Sequence, residues 1–219
     1  IHTIGNQIME GILLHVTNDK QKARELALEA LKKVDMPNAE QRLEEYSHQL
    51  SGGMRQRAMI AMALSCNPDI LIADEPTTAL DVTVQAQVLS LINDLKHNLD
   101  SSVIFITHDL GVIAEMSDDV AVMYLGKVVE YTDVDTLFHG ALHPYTISLL
   151  ESIPSITKAS KTRLESIEGT VPLPINLPKG CVFYSRCKAA QQGVCDVDDI
   201  PLVEVEDGHF VRCALVGEK

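Results

Sequence analysis

Two stretches decide the reading of this chain: Leu50-Ser51-Gly52-Gly53-Met54-Arg55-Gln56-Arg57, and Ile70-Leu71-Ile72-Ala73-Asp74-Glu75-Pro76 some twenty residues on. In the first, Ser51 is a helix cap and two glycines open the helix, so the free N–H groups and the dipole of its first turn face outward. Gly52 and Gly53 let an anion approach that backbone closely. The competing reading is a well-capped helix with a flexible start. In the second stretch, a short apolar run of the kind expected for a strand covered on both faces ends in two adjacent carboxylates. Ligands of open α/β sheets sit beyond the carboxyl ends of the strands. Asp74 and Glu75 can divide labour there, one approaching Mg²⁺ and the other polarising a water. The plainer alternative is a solvated turn.

Around these stretches the chain alternates between helical and strand patterns. Asn18 to Val34 carries Ala23, Leu26, Ala27, Ala30, Leu31 and Val34 on one face at helical spacing. Asn18 with Gln21 supplies a capping box, and Pro37 closes the segment. A second helix is expected from Gly52 to Cys66, ended by Asn67-Pro68, with Cys66 as a core residue. A third follows from about Asp81, with Val84, Val88, Leu91, Ile92 and Leu95 as its stripe. Val103–Ile106 reads as another buried strand and delivers Thr107-His108-Asp109 to the same sheet edge. A His placed there can bond a phosphate oxygen or orient a water, although a lone His is often just a polar loop residue. The order strand, helix, strand predicts a parallel α/β sheet with a crossover helix.

Further on, Asp109–Met116 reads as a helix. Val120–Leu125 and Lys127–Tyr131 read as an edge hairpin through Gly126. Pro144 suits the first turn of a helix to about Ser152. Between Ile153 and Gly180 the prolines Pro154, Pro172, Pro174 and Pro178 mark an irregular connector.

Composition narrows the function. The 219 residues are 46% hydrophobic and 22% charged, a burial-rich balance that excludes a disordered chain. No apolar run approaches the ~18 residues of a membrane span, and Ile1–Gly11 lacks the basic and apolar regions of a signal peptide. Eighteen Lys and Arg against 31 Asp and Glu give a net charge of −13, which disfavours broad nucleic-acid binding. A local phosphate site on backbone N–H groups remains compatible with that charge.

Four of the five cysteines lie in the tail, as Cys181-x5-Cys187-x7-Cys195-x17-Cys213. No CxxC pair occurs, so a zinc ribbon is not indicated. Four thiolates suit a [4Fe–4S] cluster; zinc and free structural thiols are the alternatives. His209 is read as incidental to them.

In this order, LSGGMRQR, ILIADEP, TALD (Thr78–Asp81) and ITHD (Ile106–Asp109) resemble the signature, Walker B, D-loop and switch-histidine motifs of ABC transporter nucleotide-binding subunits. TIGNQIMEGI (Thr3–Ile12), His143-Pro144-Tyr145-Thr146 and the tail GCVFYSRC (Gly180–Cys187) further resemble the oligopeptide/dipeptide (and nickel) importer branch, where a four-Cys tail holds an iron–sulfur cluster in some members. Ser47 departs from the Pro usual there. No Gly-x-x-x-x-Gly-Lys-Ser/Thr loop occurs among the residues, and Gln7 does not occupy the Q-loop motif. The chain is therefore expected to be the C-terminal part of a subunit, inactive alone; the alternatives are a soluble ABC ATPase and, for a chain that starts at Ile1, a non-catalytic regulatory or metal-binding protein that donates a signature to a partner.

The resemblance implies a partial P-loop NTPase-type α/β fold. It is divided into a helical signature subdomain (1–66), an ATPase core (67–152) and a Cys-rich extension (153–219). It implies ATP and Mg²⁺ as cofactors. Ser51, Gly52, Gly53 and Gln56 would contact nucleotide across a dimer interface, and Asp81 would couple the two sites. Asp74 would hold Mg²⁺, Glu75 would act as general base, and His108 would bond the γ-phosphate. The implied partners are a second ATPase subunit, identical or not, two membrane-spanning permease subunits and an extracytoplasmic solute-binding protein. The implied place is the cytoplasmic face of the inner membrane, and the implied cargo is a peptide, with nickel or another small solute as the alternative.

Overall fold

The computed structural model describes residues 2–78, 80–98, 102–153, 167–173, 175 and 179–216, without the side chains of Leu95, His97 and Asn98. Ala79, Pro154, Pro174, Pro178 and the Leu95 side chain, invoked above, lie outside the described residues. The chain divides into two compact units, Ile1–His108 and Asp109–Lys219.

The first unit begins with a helix, α1 (Ile4–His15), that the sequence reading did not anticipate. Thr3 caps it, accepting from the Asn6 N–H at 3.3 Å, and Ile4, Ile8 and Ile12 form its buried stripe. Helix α2 (Lys20–Lys33) is capped by Asp19 rather than by the expected Asn18–Gln21 box. The Asp19 carboxylate already satisfies two first-turn donors, Gln21 N–H at 2.8 Å and Lys22 N–H at 3.3 Å. Ala23, Ala27, Ala30 and Leu31 bury its inner face, with Leu26 half-buried. A short α3 (Ala39–Leu43) and a 3₁₀ turn (Ser47–Gln49) lead to α4 (Gly52–Leu64), capped by Ser51 as expected. Arg57 locks α4 to α2 by donating to the Val34 carbonyl at 2.6 Å. Helix α4 ends before Cys66, which is half-buried rather than a core residue.

Strand β1 (Ile70–Asp74), helix α5 (Val82–Asn98) and strand β2 (Ser102–Ile106) form the expected parallel unit, paired from Ile70↔Ser102 to Asp74↔Ile106. The expectation of two covered faces fails. Side chains alternate along a strand, and Ile70 (57% exposed), Ile72 (63%), Ile104 (50%) and Ile106 (47%) share an open face, while Ala73 is buried on the other. Among the described residues this sheet has two strands, so nothing described covers the isoleucine face. On α5, Val88, Leu91 and Ile92 are buried and Val84 is half-buried.

The second unit opens with α6 (Leu110–Met116), capped by Asp109. Strands β3 (Asp119–Tyr124) and β4 (Lys127–Asp133) make the predicted antiparallel hairpin, followed by α7 (Val134–Gly140) and α8 (Pro144–Glu151). The hairpin is not wholly an edge, because the tail supplies two unanticipated strands, β5 (Val203–Glu206) and β6 (His209–Val211). They complete a four-stranded sheet in the order β3-β4-β6-β5, which places β4 inside. Its core gathers Ile113, Val120, Val122, Val129, Leu137 and an aromatic cluster in which Tyr124 meets Phe183 edge-on at 5.3 Å. Arg186 donates to the Ile167, Glu168 and Gly169 carbonyls and to the Tyr124 hydroxyl, tying the end of the connector to this core. Among the described residues no helix is long and apolar enough to cross a membrane.

Candidate functional site

The first unit carries two groups of the singled-out residues. One forms where α4 meets α5. Ser51 closes the start of α4 by accepting from the Met54 N–H at 3.3 Å, and Ser51 and Gly52 are exposed. Gly53 is fixed by packing, because a Cβ there would lie 2.8 Å from Cγ1 of Val84. Gln56 is half-buried one turn on. Asp81 caps α5, its carboxylate accepting from the Val84 N–H at 3.0 Å. The glycine pair and Asp81 therefore flank one helix–helix contact.

The other group forms at the carboxyl ends of β1 and β2. Glu75 turns the chain out of β1 with φ of +44°, a left-handed conformation uncommon for a residue with a side chain. Its N–H donates to the Ile106 carbonyl at 2.8 Å, which binds the turn to the end of β2. Its carboxylate accepts from the Thr78 hydroxyl at 2.8 Å and lies 3.2 Å from Nδ1 of His108. The Thr78 and then the His108 hydrogen bonds hold the Glu75 carboxyl below the usual carboxylate range, so it is ionised at neutral pH. Backbone strain at a residue this exposed is characteristic of functional turns. Asp74, the last residue of β1, is exposed. The arrangement places two solvent-facing carboxylates and an imidazole at one sheet edge, with the ionised Glu75 carboxylate held between Thr78 and His108.

Thr78 was not singled out for this role. Its position three residues after Glu75, where a hydroxyl folds back across a turn, is the signal that points to it.

In the second unit, all four tail cysteines are free thiols and line one small cavity with His143, Tyr184 and Ala190. Burial, with the neighbouring cysteines, pushes the Cys181, Cys187 and Cys213 thiols up. The loop is drawn together by a Cys181 N–H bond to the Cys195 carbonyl at 2.8 Å. Gly180 makes this crossing possible: its φ is +80°, and a Cβ would lie 2.3 Å from that same carbonyl oxygen. As placed, no group of three or more His, Cys, Asp or Glu among the described residues converges tightly enough to hold a single metal ion.

Behind the cavity lies a polar network the sequence reading missed. Glu130 is fully buried and accepts from the Leu142 N–H (2.7 Å), the His143 N–H (3.1 Å) and His209 Nε2 (2.8 Å). His209 thus has a structural partner and is not among the residues lining the cavity. His143 caps α8 through Nδ1, which accepts from the Tyr145 N–H at 3.1 Å. Burial holds its imidazole neutral, down to about 4. The single acidic residue in the run Val128-Val129-Glu130-Tyr131 is the trace this network leaves in the sequence.

A family profile described as "ABC transporter" matches residues 3–78, and one described as "Oligopeptide/dipeptide transporter, C-terminal region" matches residues 129–195. The oligopeptide transport ATP-binding protein AppD of Bacillus subtilis (strain 168) is 52% identical over 217 residues, 99% of this chain and 66% of its own length. The oligopeptide transport ATP-binding protein OppD of the same organism is 46% identical over 213 residues, 97% of this chain and 59% of its own. The chain thus spans less than two thirds of the length of these relatives. Among solved structures, a dimeric ATP-binding cassette in a post-hydrolysis state bound to ADP and Pi superposes with a TM-score of 0.54 at 27% identity. That match covers 61% of this chain and 57% of the other.

Proposed function

Because the chain belongs to the ABC transporter ATP-binding family and carries its oligopeptide/dipeptide C-terminal region, we propose that it belongs to an ATPase subunit driving peptide uptake. The observation that carries the reading is the ionised Glu75 carboxylate, held between Thr78 and His108 where two parallel strands end.

In this reading Asp74 would hold Mg²⁺, which would supply charge neutralisation at the transferred phosphoryl group. Glu75 accepts the proton of the attacking water; its two hydrogen bonds orient the carboxylate and keep it charged. With Nδ1 of His108 turned toward Glu75, Nε2 is the ring nitrogen left to bond the γ-phosphate. The N–H groups of Ser51, Gly52 and Gly53 offer an anion site to the nucleotide of a second subunit, with Gln56 beside them. A solved ATP-binding cassette to which the chain is similar is dimeric and bound to ADP and Pi, which supports pairing with a second subunit. Asp81, packed next to the glycine pair through α5, couples one site to the other. Two membrane-spanning subunits, fed by a solute-binding protein, convert dimer opening into transport, and the ATPase sits on the cytoplasmic face as a peripheral subunit.

The tail cysteines line one cavity, and four thiolates are the donor set on which a [4Fe–4S] cluster is read for the tail, with zinc or free structural thiols as the alternatives.

The test is assembly of the native subunit with its membrane partners in vesicles. Peptide delivered by the binding protein is expected to stimulate ATP hydrolysis, and only with a competent Glu75. Hydrolysis indifferent to both the permease and the peptide would sink the transport reading.

A further inference from the structure

We infer that Thr78 is a positioning residue for hydrolysis: its hydroxyl pins one oxygen of Glu75 and so presents the other, beside His108, to the attacking water. The inference rests on the reading of Glu75 as the proton acceptor.

The Glu75 side chain is 45% exposed. A long side chain in such a place is free to sample several rotamers unless something holds it. A base has to stand in one orientation, since a small misplacement of a reacting group forfeits much of its effect.

The turn that follows β1 supplies the constraint. Thr78 N–H donates to the Glu75 carbonyl at 3.1 Å, closing a turn over Glu75–Thr78, and Leu80 N–H donates to the Thr77 carbonyl at 3.2 Å. The two central residues, Pro76 and Thr77, are buried, and the proline ring fixes its own φ. Glu75 and Thr78, at the two ends, are exposed and meet across the turn, where Thr78 Oγ1 donates to Glu75 Oε2 at 2.8 Å. The other oxygen, Oε1, lies 3.2 Å from Nδ1 of His108 at the end of β2. These two contacts differ in their anchors. The His108 side chain is 78% exposed and can follow the carboxylate, whereas Thr78 rides on a turn whose middle is packed. A β-branched side chain is also restricted at χ1, which makes its hydroxyl a stiff donor. Thr78 therefore sets the orientation of the carboxylate, and His108 adjusts to it.

The experiment uses the native subunit, assembled with its membrane partners, as wild type, Thr78→Val, Thr78→Ala, Thr78→Ser and Glu75→Gln. Every Thr78 variant keeps the backbone N–H that closes the turn. The readouts are kcat and KM for ATP, nucleotide affinity without Mg²⁺, the urea midpoint, and the nitrogen NMR signals of the His108 ring in the full-length subunit. Thr78→Val and Thr78→Ala are expected to lower kcat about 10–100-fold, the cost of a misplaced group, with KM, nucleotide affinity and urea midpoint unchanged. The Nδ1 signal of His108 is expected to move toward that of a ring without a carboxylate neighbour. Thr78→Ser is expected to restore both rate and signal. Undiminished kcat in Thr78→Val and Thr78→Ala, beside a slowed Glu75→Gln, overturns the inference and leaves the base reading standing. A loss that Thr78→Ser does not restore, or one that comes with a lower urea midpoint or nucleotide affinity, overturns it too, making Thr78 a structural residue. So does an unchanged His108 signal. Undiminished turnover in Glu75→Gln removes the base reading and this inference together.

Discussion

Oε1 of Glu75 lies 3.2 Å from Nδ1 of His108, two residues 33 positions apart that are joined by the parallel pairing of β1 and β2. The contact fixes both carboxylate and imidazole at one sheet edge. It also makes the tautomer of His108 depend on the charge of Glu75.

Replacing Glu75 with Gln keeps the shape of the turn but removes the proton acceptor. In the assembled transporter, turnover is expected to fall about 10²–10⁴-fold while ATP binding persists. Steady-state hydrolysis and nucleotide retention on the same preparation check this; undiminished turnover would take Glu75 out of the base role. His108→Ala is expected to lower turnover as well, since Glu75 loses one of its two side-chain donors.

Gly53→Ala sets two effects of opposite sign against each other. Alanine favours a helix by about 1 kcal/mol over glycine, but the new Cβ would sit 2.8 Å from Val84 Cγ1. Overpacking of that kind costs about 1–3 kcal/mol, so a net loss of stability is expected. Adding Val84→Ala should relieve it. Urea titrations of the single and double variants decide the matter, and a double variant no more stable than Gly53→Ala would mean the clash is not the cause.

Glu130→Ala leaves His209 and two backbone N–H groups buried without their acceptor. Stripping one partner from such a buried pair typically costs 3–5 kcal/mol. Because the chain has no Trp, tyrosine fluorescence follows the unfolding. A loss below about 1 kcal/mol would show that water replaces the carboxylate.

Gly180→Ala forces a Cβ against the Cys195 carbonyl from a backbone already at φ of +80°. Destabilisation on the order of 3 kcal/mol is expected locally. Loss of the Cys181–Cys195 backbone bond should also lower iron uptake. Equal iron content in variant and wild type would contradict that dependence.

Local chemistry made much of this legible. Ser51 before two glycines announced the start of α4, and the apolar runs ending in Asp74-Glu75 and Thr107-His108 located the sheet edge. What escaped were relations set by tertiary partners. The isoleucine face of β1 and β2 reads as buried because pattern alone cannot say how many neighbours a strand has. Asp19 displaced Asn18 because either residue type caps a helix and only geometry chooses. Strands β5 and β6 are short and weakly patterned, and the pairing of β6 with β4 draws on residues far along the chain. The Glu130 network is invisible for the same reason: one acid and two histidines scattered over 130–209 carry no spacing to recognise.

That long-range pairing makes the second unit late to form. β4 closes on β6, and Glu130 meets His209 across 79 positions, whereas α1 to α4 of the first unit pack mostly against near neighbours in sequence. High contact order slows folding. A nascent chain emerging from the ribosome can assemble α1 to α4 early, but β4 lacks its neighbour and Glu130 lacks His209 until residues 203–211 arrive. Until then that edge is open to pairing with other chains, so β5 and β6 act as a built-in chaperone for the sheet they complete.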